Sequence, residues 1–216
     1  MVPHPLKGVL FDMDGTLVDA FHPIILAIHA TLQHFGRQRI EADEIRRQTG
    51  RGDCTMRALF GDDKEAATEH FLKIHDDYLL EGIATLDGVE PLLQHLQTRA
   101  IPMAIVTSKG QLRAEAQINH LGLSDYFDCI IGKQPGLAEK PSPEPILRAC
   151  SVLKCSPSQA IMIGDGISDT RAAKAAQVMS LAITSSFSVE ELTQTGAAHC
   201  FPTLSEVSTW LMTQIR

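Results

Sequence analysis

Residues 7–15 read Lys7-Gly8-Val9-Leu10-Phe11-Asp12-Met13-Asp14-Gly15. A short apolar run stops abruptly in two carboxylates and a glycine. A strand buried on both faces of a parallel sheet reads as a continuous apolar run, without the alternation of a half-exposed one. The acidic residues that follow it then stand where the chain leaves the sheet. Asp12 and Asp14 are two apart, so an extended backbone sends both side chains to one side. Gly15 allows the chain to turn there.

Similar runs recur at Met103–Thr107, Ile130–Gly132, Ala160–Gly164 and Val178–Ile183. Helical periods lie between them. Val89, Leu92, Leu93 and Leu96 are spaced i, i+3, i+4, i+7, with Asp87 placed as N-cap and Glu90 three residues on. Ser142-Pro143 and Ser156-Pro157 each read as an N-cap followed by proline at the first helical position. Strand–helix alternation through residues 87–216 predicts an α/β fold, a doubly wound parallel sheet of the Rossmann-like kind.

From Val18 to Leu86 the alternation is interrupted by helical stripes without a convincing strand. Ile25, Ile28, Leu32 and Phe35 form one stripe; Ala67, Phe71, Ile74 and Tyr78 form another. Two shorter helices fit Ala42–Gln48 and Cys54–Phe60, separated by Thr49-Gly50-Arg51-Gly52. The expected organisation is a core of residues 1–17 and 87–216, with 18–86 as an inserted α-helical cap over the carboxyl end of the first strand.

Composition narrows the functions available. The chain has 216 residues, 26 acidic against 19 basic, a formal charge of −7, 44% hydrophobic and 21% charged residues. That is an ordinary globular composition, long enough for a substantial core. The acidic balance argues against nucleic acid or an anionic membrane as partner. No apolar run reaches the roughly 20 residues of a membrane span. Residues 1–15 meet acidic side chains too early for a signal peptide. Five scattered cysteines, none spaced CxxC, suit reduced thiols in a cytoplasmic protein. His29/His34 and His70/His75 are five apart, which gives little support to a zinc site. A monomer or a homodimer is expected.

In open α/β sheets ligands sit outside the carboxyl ends of the strands. Those ends here carry Asp12 and Asp14, then Thr107 and Ser108, then Lys140 after a loop, then Asp165 and Asp169. Several carboxylates in one crevice repel one another unless a cation intervenes. All-oxygen ligands select a hard ion, with Mg²⁺ the natural one beside a phosphate. Phosphoryl transfer needs its spreading negative charge neutralised, and a lysine, a hydroxyl and Mg²⁺ would do this. One carboxylate can act as phosphoryl acceptor. The other can hand a proton to the leaving oxygen and later take one from water.

The sequences DMDGTLVD at 12–19, VTSK at 106–109, Lys140-Pro141 and GDGISD at 164–169 resemble the four ordered motifs of the haloacid dehalogenase-like (HAD) phosphatase superfamily. The resemblance spans essentially the whole chain. It implies Asp12 as nucleophile forming an aspartyl-phosphate, and Asp14 as general acid/base. It also implies Thr107 and Lys140 as ligands of the transferring phosphoryl group. Asp165 would complete a Mg²⁺ site with Asp12 and the backbone carbonyl of Asp14, and Asp169 would hold a metal-bound water. Dehalogenase members lack the second aspartate of the opening motif, so Asp14 implies phosphate chemistry. The insertion point matches the helical-cap subclass. IRRQTGRGDCTMRALFG and LDGVEPLLQHL resemble segments of phosphoglycolate phosphatase-like members, with Asp87 where proline is usual. Ser108, Ala20 and Gly166 also depart from the common pattern without removing a needed chemical group.

Less determined readings accompany these. Asp169 and Ser168 also suit a helix start. Arg51, flanked by glycines, suits either a grip on a substrate anion or an idle surface position. Arg46 and Arg47 read as a solvated helix face, and Lys109 as a helix-start residue that need not touch substrate. The expected function is hydrolysis of a small phosphorylated metabolite, with phosphoglycolate first. A sugar-phosphate mutase resembling β-phosphoglucomutase is the second reading, and a non-catalytic binding protein the third.

Overall fold

The computed structural model describes residues 3, 5–51 and 55–214. The chain runs β1 (Gly8–Phe11), β2 (Val18–Asp19), α1 (Phe21–His34), α2 (Ala42–Gly50), α3 (Thr55–Phe60), α4 (Lys64–Asp77), β3 (Ala84–Thr85), α5 (Val89–Thr98) and β4 (Met103–Gly110). It continues with α6 (Gln111–His120), β5 (Cys129–Lys133), α7 (Glu144–Val152), β6 (Ala160–Gly164), α8 (Ile167–Ala176), β7 (Met179–Ile183), α9 (Val189–Thr195), β8 (His199–Phe201) and α10 (Leu204–Gln214). Six strands form one parallel sheet in the order β5-β4-β1-β6-β7-β8. The sheet is of the expected Rossmann-like class.

Every residue of β1 is buried, and the strand's side chains divide between two cores. Val9 and Phe11 join Met103, Ile105, Ile161 and Ile163 on one face, packed against Leu92, Leu93 and Leu96 of α5 and Val207 and Leu211 of α10. Leu10 joins Ala104, Val106 and Met162 on the other, against Ile146 and Ala149 of α7 and Ala172 and Ala173 of α8. Strand alternation places successive side chains on opposite faces, and here both faces are covered, which is why the run carries no polar position. Registers Phe11↔Ile105 and Phe11↔Ile163 set β1 level with both neighbours. The chain therefore leaves β1, β4 and β6 at one edge of the molecule.

Helices α1–α4 pack around an apolar cluster of their own, with Phe21, Ile28 and Leu32 of α1, Ile45 of α2, Phe60 of α3 and Ala67 of α4. Some sequence expectations need correction. The segment does contain strand: β2 and β3 pair antiparallel at its two ends, Val18 with Thr85 and Asp19 with Ala84. Two-residue strands are too short to leave a periodic trace. Asp87 does not cap α5; Gly88 does, at φ +86°. A Cβ at Gly88 would lie 2.4 Å from Ser205 Oγ, so contact with α10 fixes that turn. Helix α2 runs through Gly50. Helix α7 starts one residue late, with Pro143 at its N-cap, and Ser156-Pro157 opens a single 3₁₀ turn, Pro157–Gln159. Gly52 and Cys54 lie outside the described residues. Among those residues no helix is long and apolar enough to cross a membrane.

Candidate active site

The N–H of Asp12 donates to Ile163 O at 2.8 Å, extending the β1–β6 ladder one residue past the strand and fixing the first carboxylate at the sheet edge. Beyond it the backbone turns tightly, with the N–H groups of Leu17 and Val18 both donating to Met13 O at 2.9 Å. Gly15 sits inside this turn at φ +83°. A Cβ there would fall 2.5 Å from Asp165 Oδ2. Only glycine lets the first loop slide beneath the carboxylate presented by β6.

Three carboxylates converge. Oxygens of Asp12, Asp165 and Asp169 lie within 4.8 Å of one another. The Lys140 ammonium stands among them, donating to Asp12 Oδ1 at 2.7 Å, Asp169 Oδ1 at 2.6 Å and the backbone Val106 O at 2.8 Å. An ammonium has three N–H donors, and each has an acceptor. Asp169 also receives the Gly166 N–H at 2.9 Å on Oδ2, so it caps α8 and reaches the lysine at once. Its capping and chemical readings are thus compatible. Asp165 is held by Ser185 Oγ at 2.9 Å and by Thr16 Oγ1 at 3.4 Å.

Burial governs the electrostatics. It pushes the Asp165 carboxyl well above the usual range, reinforced by the charges of Asp12 and Asp169 and opposed by the Ser185 hydroxyl. Burial and Asp12 raise Asp169 to about 6, with Lys140 pulling the other way. For Lys140, burial disfavours the charge, yet Asp12 and Asp169 outweigh it and hold the ammonium above its ordinary value. For both carboxylates burial is the largest cause, with like charge from Asp12 adding to it. The all-oxygen donor set within 4.8 Å fits a hard divalent cation.

Asp14 turns elsewhere. Its Oδ1 accepts from Lys109 Nζ at 2.8 Å, and burial raises its pKa with Lys109 opposing. Its carboxylate therefore stands apart from the three-aspartate cluster; the implied contribution of Asp14 to a metal was its backbone carbonyl. Thr107 is buried near the end of β4 and accepts the Lys109 N–H on Oγ1 at 3.2 Å. Ser108 is exposed beside it. Arg51 is half-buried just past α2. The preceding residue meets the loop after β6, because a Cβ at Gly166 would lie 2.7 Å from Gly50 O.

Two sequence readings are overturned. Lys109 does not start α6 but lies in β4, and its side chain is 5% exposed and paired with Asp14. The sequence carried no signal for this, because the apolar run ends at Thr107 and the strand is irregular between Val106 and Gly110. Arg47 is not on a solvated face. It donates to Ser186 O and Glu191 Oε1, both at 2.7 Å, and lies over the Phe187 ring, tying α2 to the segment around α9. Ser185 also escaped notice, although it follows a strand end, that of β7.

The family model for haloacid dehalogenase-like hydrolases matches residues 9–183. A phosphoglycolate phosphatase of Colwellia psychrerythraea is 32% identical over 212 residues, which covers 92% of this chain and 94% of the relative. Among solved structures, a Bacteroides fragilis protein described as a haloacid dehalogenase-like hydrolase superposes with a TM-score of 0.87 at 28% identity, covering 93% of this chain and 99% of that one. A Thermotoga maritima protein described as a β-phosphoglucomutase gives 0.73 at 25% identity, covering 96% and 99%.

Proposed function

Because this chain belongs to the haloacid dehalogenase-like hydrolase family, we propose that it is a Mg²⁺-dependent phosphatase of small phosphomonoesters, working through an aspartyl-phosphate, with phosphoglycolate the first substrate to test. The observation that carries this reading is the meeting of Asp12, Asp165, Asp169 and Lys140 outside the carboxyl ends of β1, β4 and β6. In this reading residues 18–86 are a cap over a core of 1–17 and 87–216. Asp12, Asp165 and the backbone carbonyl of Asp14 would hold the ion, with Asp169 placed to hold a water bound to it. Bound Mg²⁺ supplies positive charge against the phosphoryl oxygens.

Asp12 attacks phosphorus as the bond from phosphorus to the leaving oxygen breaks, and the electron pair of that bond stays on the leaving oxygen. Asp14, in its protonated form, gives that oxygen its proton. Lys140 and Thr107 hold the phosphoryl oxygens, Lys140 contributing charge from a site where burial strengthens it. Ser108 and Gly15 border the phosphoryl group, and Arg51 faces the remainder of the substrate. Water then attacks the aspartyl-phosphate, its proton passing to the Asp14 carboxylate, and inorganic phosphate leaves with Asp12 restored.

The test is phosphate release from phosphoglycolate, sugar phosphates, nucleoside monophosphates, pyrophosphate and p-nitrophenyl phosphate, with Mg²⁺, with EDTA, and with Asp12→Asn. Metal-dependent release that Asp12→Asn abolishes is expected, with phosphoglycolate preferred in kcat/KM. Release that survives in Asp12→Asn would overturn the nucleophile. The Thermotoga maritima similarity keeps a mutase as second reading. Interconversion of glucose phosphates without phosphate release would favour it.

A further inference from the structure

Lys109 is bound at both ends of a short chain of contacts that leads away from the carboxylate cluster. Its ammonium donates to Asp14 Oδ1 and to Gln117 Oε1 of α6. Gln117 is fully buried, and its amide donates to the backbone carbonyl of Leu79 at 2.6 Å. Leu79 follows α4, where the chain returns from the helical segment to β3. The same helix faces are joined again by Arg113 of α6, whose guanidinium forms a two-point pair with Asp76 of α4.

Burying an ion pair contributes little to stability compared with apolar residues of equal volume. Placing one on the carboxylate beside the nucleophile therefore calls for another explanation. Lys109 occupies Oδ1 of Asp14, which leaves Oδ2 as the oxygen to carry the proton toward a leaving group. A lysine alone is a flexible point charge. Here the rigid amide of Gln117 fixes the ammonium, and the Leu79 carbonyl fixes the amide.

We propose that Lys109 is the positioning residue for Asp14, and that Gln117 is the strut that ties this positioning to the segment following α4, so that proton delivery to the leaving oxygen depends on the helical segment being seated on α6. This rests on the phosphatase reading above. In the step concerned, the Asp14 Oδ2–H proton moves to the leaving oxygen as phosphorus passes to Asp12, while Oδ1 stays on Lys109.

The readout is the split between leaving groups. An alkyl alcohol leaves poorly without a proton, whereas p-nitrophenolate leaves readily without one. The 216-residue chain is assayed with saturating Mg²⁺ as Lys109→Met and as Gln117→Glu. Gln117→Glu keeps an acceptor for Lys109 and removes the donor to Leu79. General acid catalysis contributes about 10²–10⁴-fold, so misplacement of the acid should lower kcat/KM for alkyl phosphates by about 10–100-fold. The loss on p-nitrophenyl phosphate should stay within about 3-fold, with KM for both nearly unchanged. Equal losses on the two substrate types, or no loss on either, would overturn the proposal. Failure of both variants to fold would do the same, because the pair would then serve the fold. Absence of metal-dependent turnover by the unmodified protein overturns the phosphatase reading instead, and is seen before any variant is made.

Discussion

Acidification from about pH 7 to about pH 4.5 should cost the protein stability through one side chain, His75. The imidazole lies on α4, 2% exposed, stacked on Phe71 with ring centroids 5.3 Å apart. Its Nδ1 finds no hydrogen-bond partner among the described residues. Burial pushes its pKa down to about 4; Lys109 and Arg113 act in the same direction and Asp76 against it. In the unfolded chain the value returns to about 6.5. The folded state thus binds fewer protons between those values. The stabilisation is complete above about 6.5, drains away as pH falls through the interval, and levels off below about 4. At 1.36 kcal/mol per pH unit the full effect is about 3 kcal/mol, of which about 2 is gone by pH 4.5. His75→Phe keeps the stacking and deletes the titration, while carboxylates common to both proteins cancel. Urea unfolding in EDTA, followed by the single tryptophan Trp210, should show the unmodified protein losing about 2 kcal/mol more than the variant over this range. At pH 7 the variant should be no less stable, since a buried unpaired nitrogen is removed. Equal losses in the two proteins would refute the reasoning.

Other expectations concern the site. Lys140→Met strips the cation from the buried Asp12 and Asp169 and, in EDTA near pH 8, should cost about 3–5 kcal/mol. That deficit should shrink toward pH 5 as Asp169, raised to about 6 by burial and Asp12, takes up a proton; a deficit independent of pH would count against the lysine as counter-charge. Mg²⁺ at 100 times its Kd should stabilise the protein by about 2.7 kcal/mol. Thermal melts should show this gain disappearing in Asp165→Asn, and an unmodified protein indifferent to Mg²⁺ would contradict the metal site. Gly166→Ala would set a Cβ 2.7 Å from the Gly50 carbonyl. Denaturant midpoints should report a loss of about 1–3 kcal/mol, and an unaffected midpoint would mean that α2 does not rest on this loop in solution.

The parts legible in the sequence are those whose signal is local. Strands β1 and β6, the first half of β4 and most of β7 are apolar because both faces of the sheet are covered, and a run of buried positions is visible without knowing its partners; β5, at the sheet edge, shows as the short run Ile130–Gly132. Asp12, Asp14, Thr107, Asp165 and Asp169 stand out because each follows such a run, and Lys140 because the motif order selects it. What remained hidden depends on remote contact. Strand β8, His-Cys-Phe at 199–201, is three residues at the sheet edge and shows no period. Strands β2 and β3 exist only through each other. Gln117 reads as one more polar residue on α6; its significance lies in Leu79, 38 positions away. Arg47 is read correctly only once Ser186 and Glu191 are known to sit opposite.

The three acceptors around Lys140 bear on the order in which the protein is made ready for work. In small zinc domains, folding and metal uptake are a single event, because nothing else offsets the ligand charges. Here a covalently attached ammonium offsets part of that charge, with Asp12, Asp169 and the Val106 carbonyl gathered about it. If the proposed ion binds, the cluster would already be part-neutralised before it arrives, so chelation should lower activity well before it unfolds the protein.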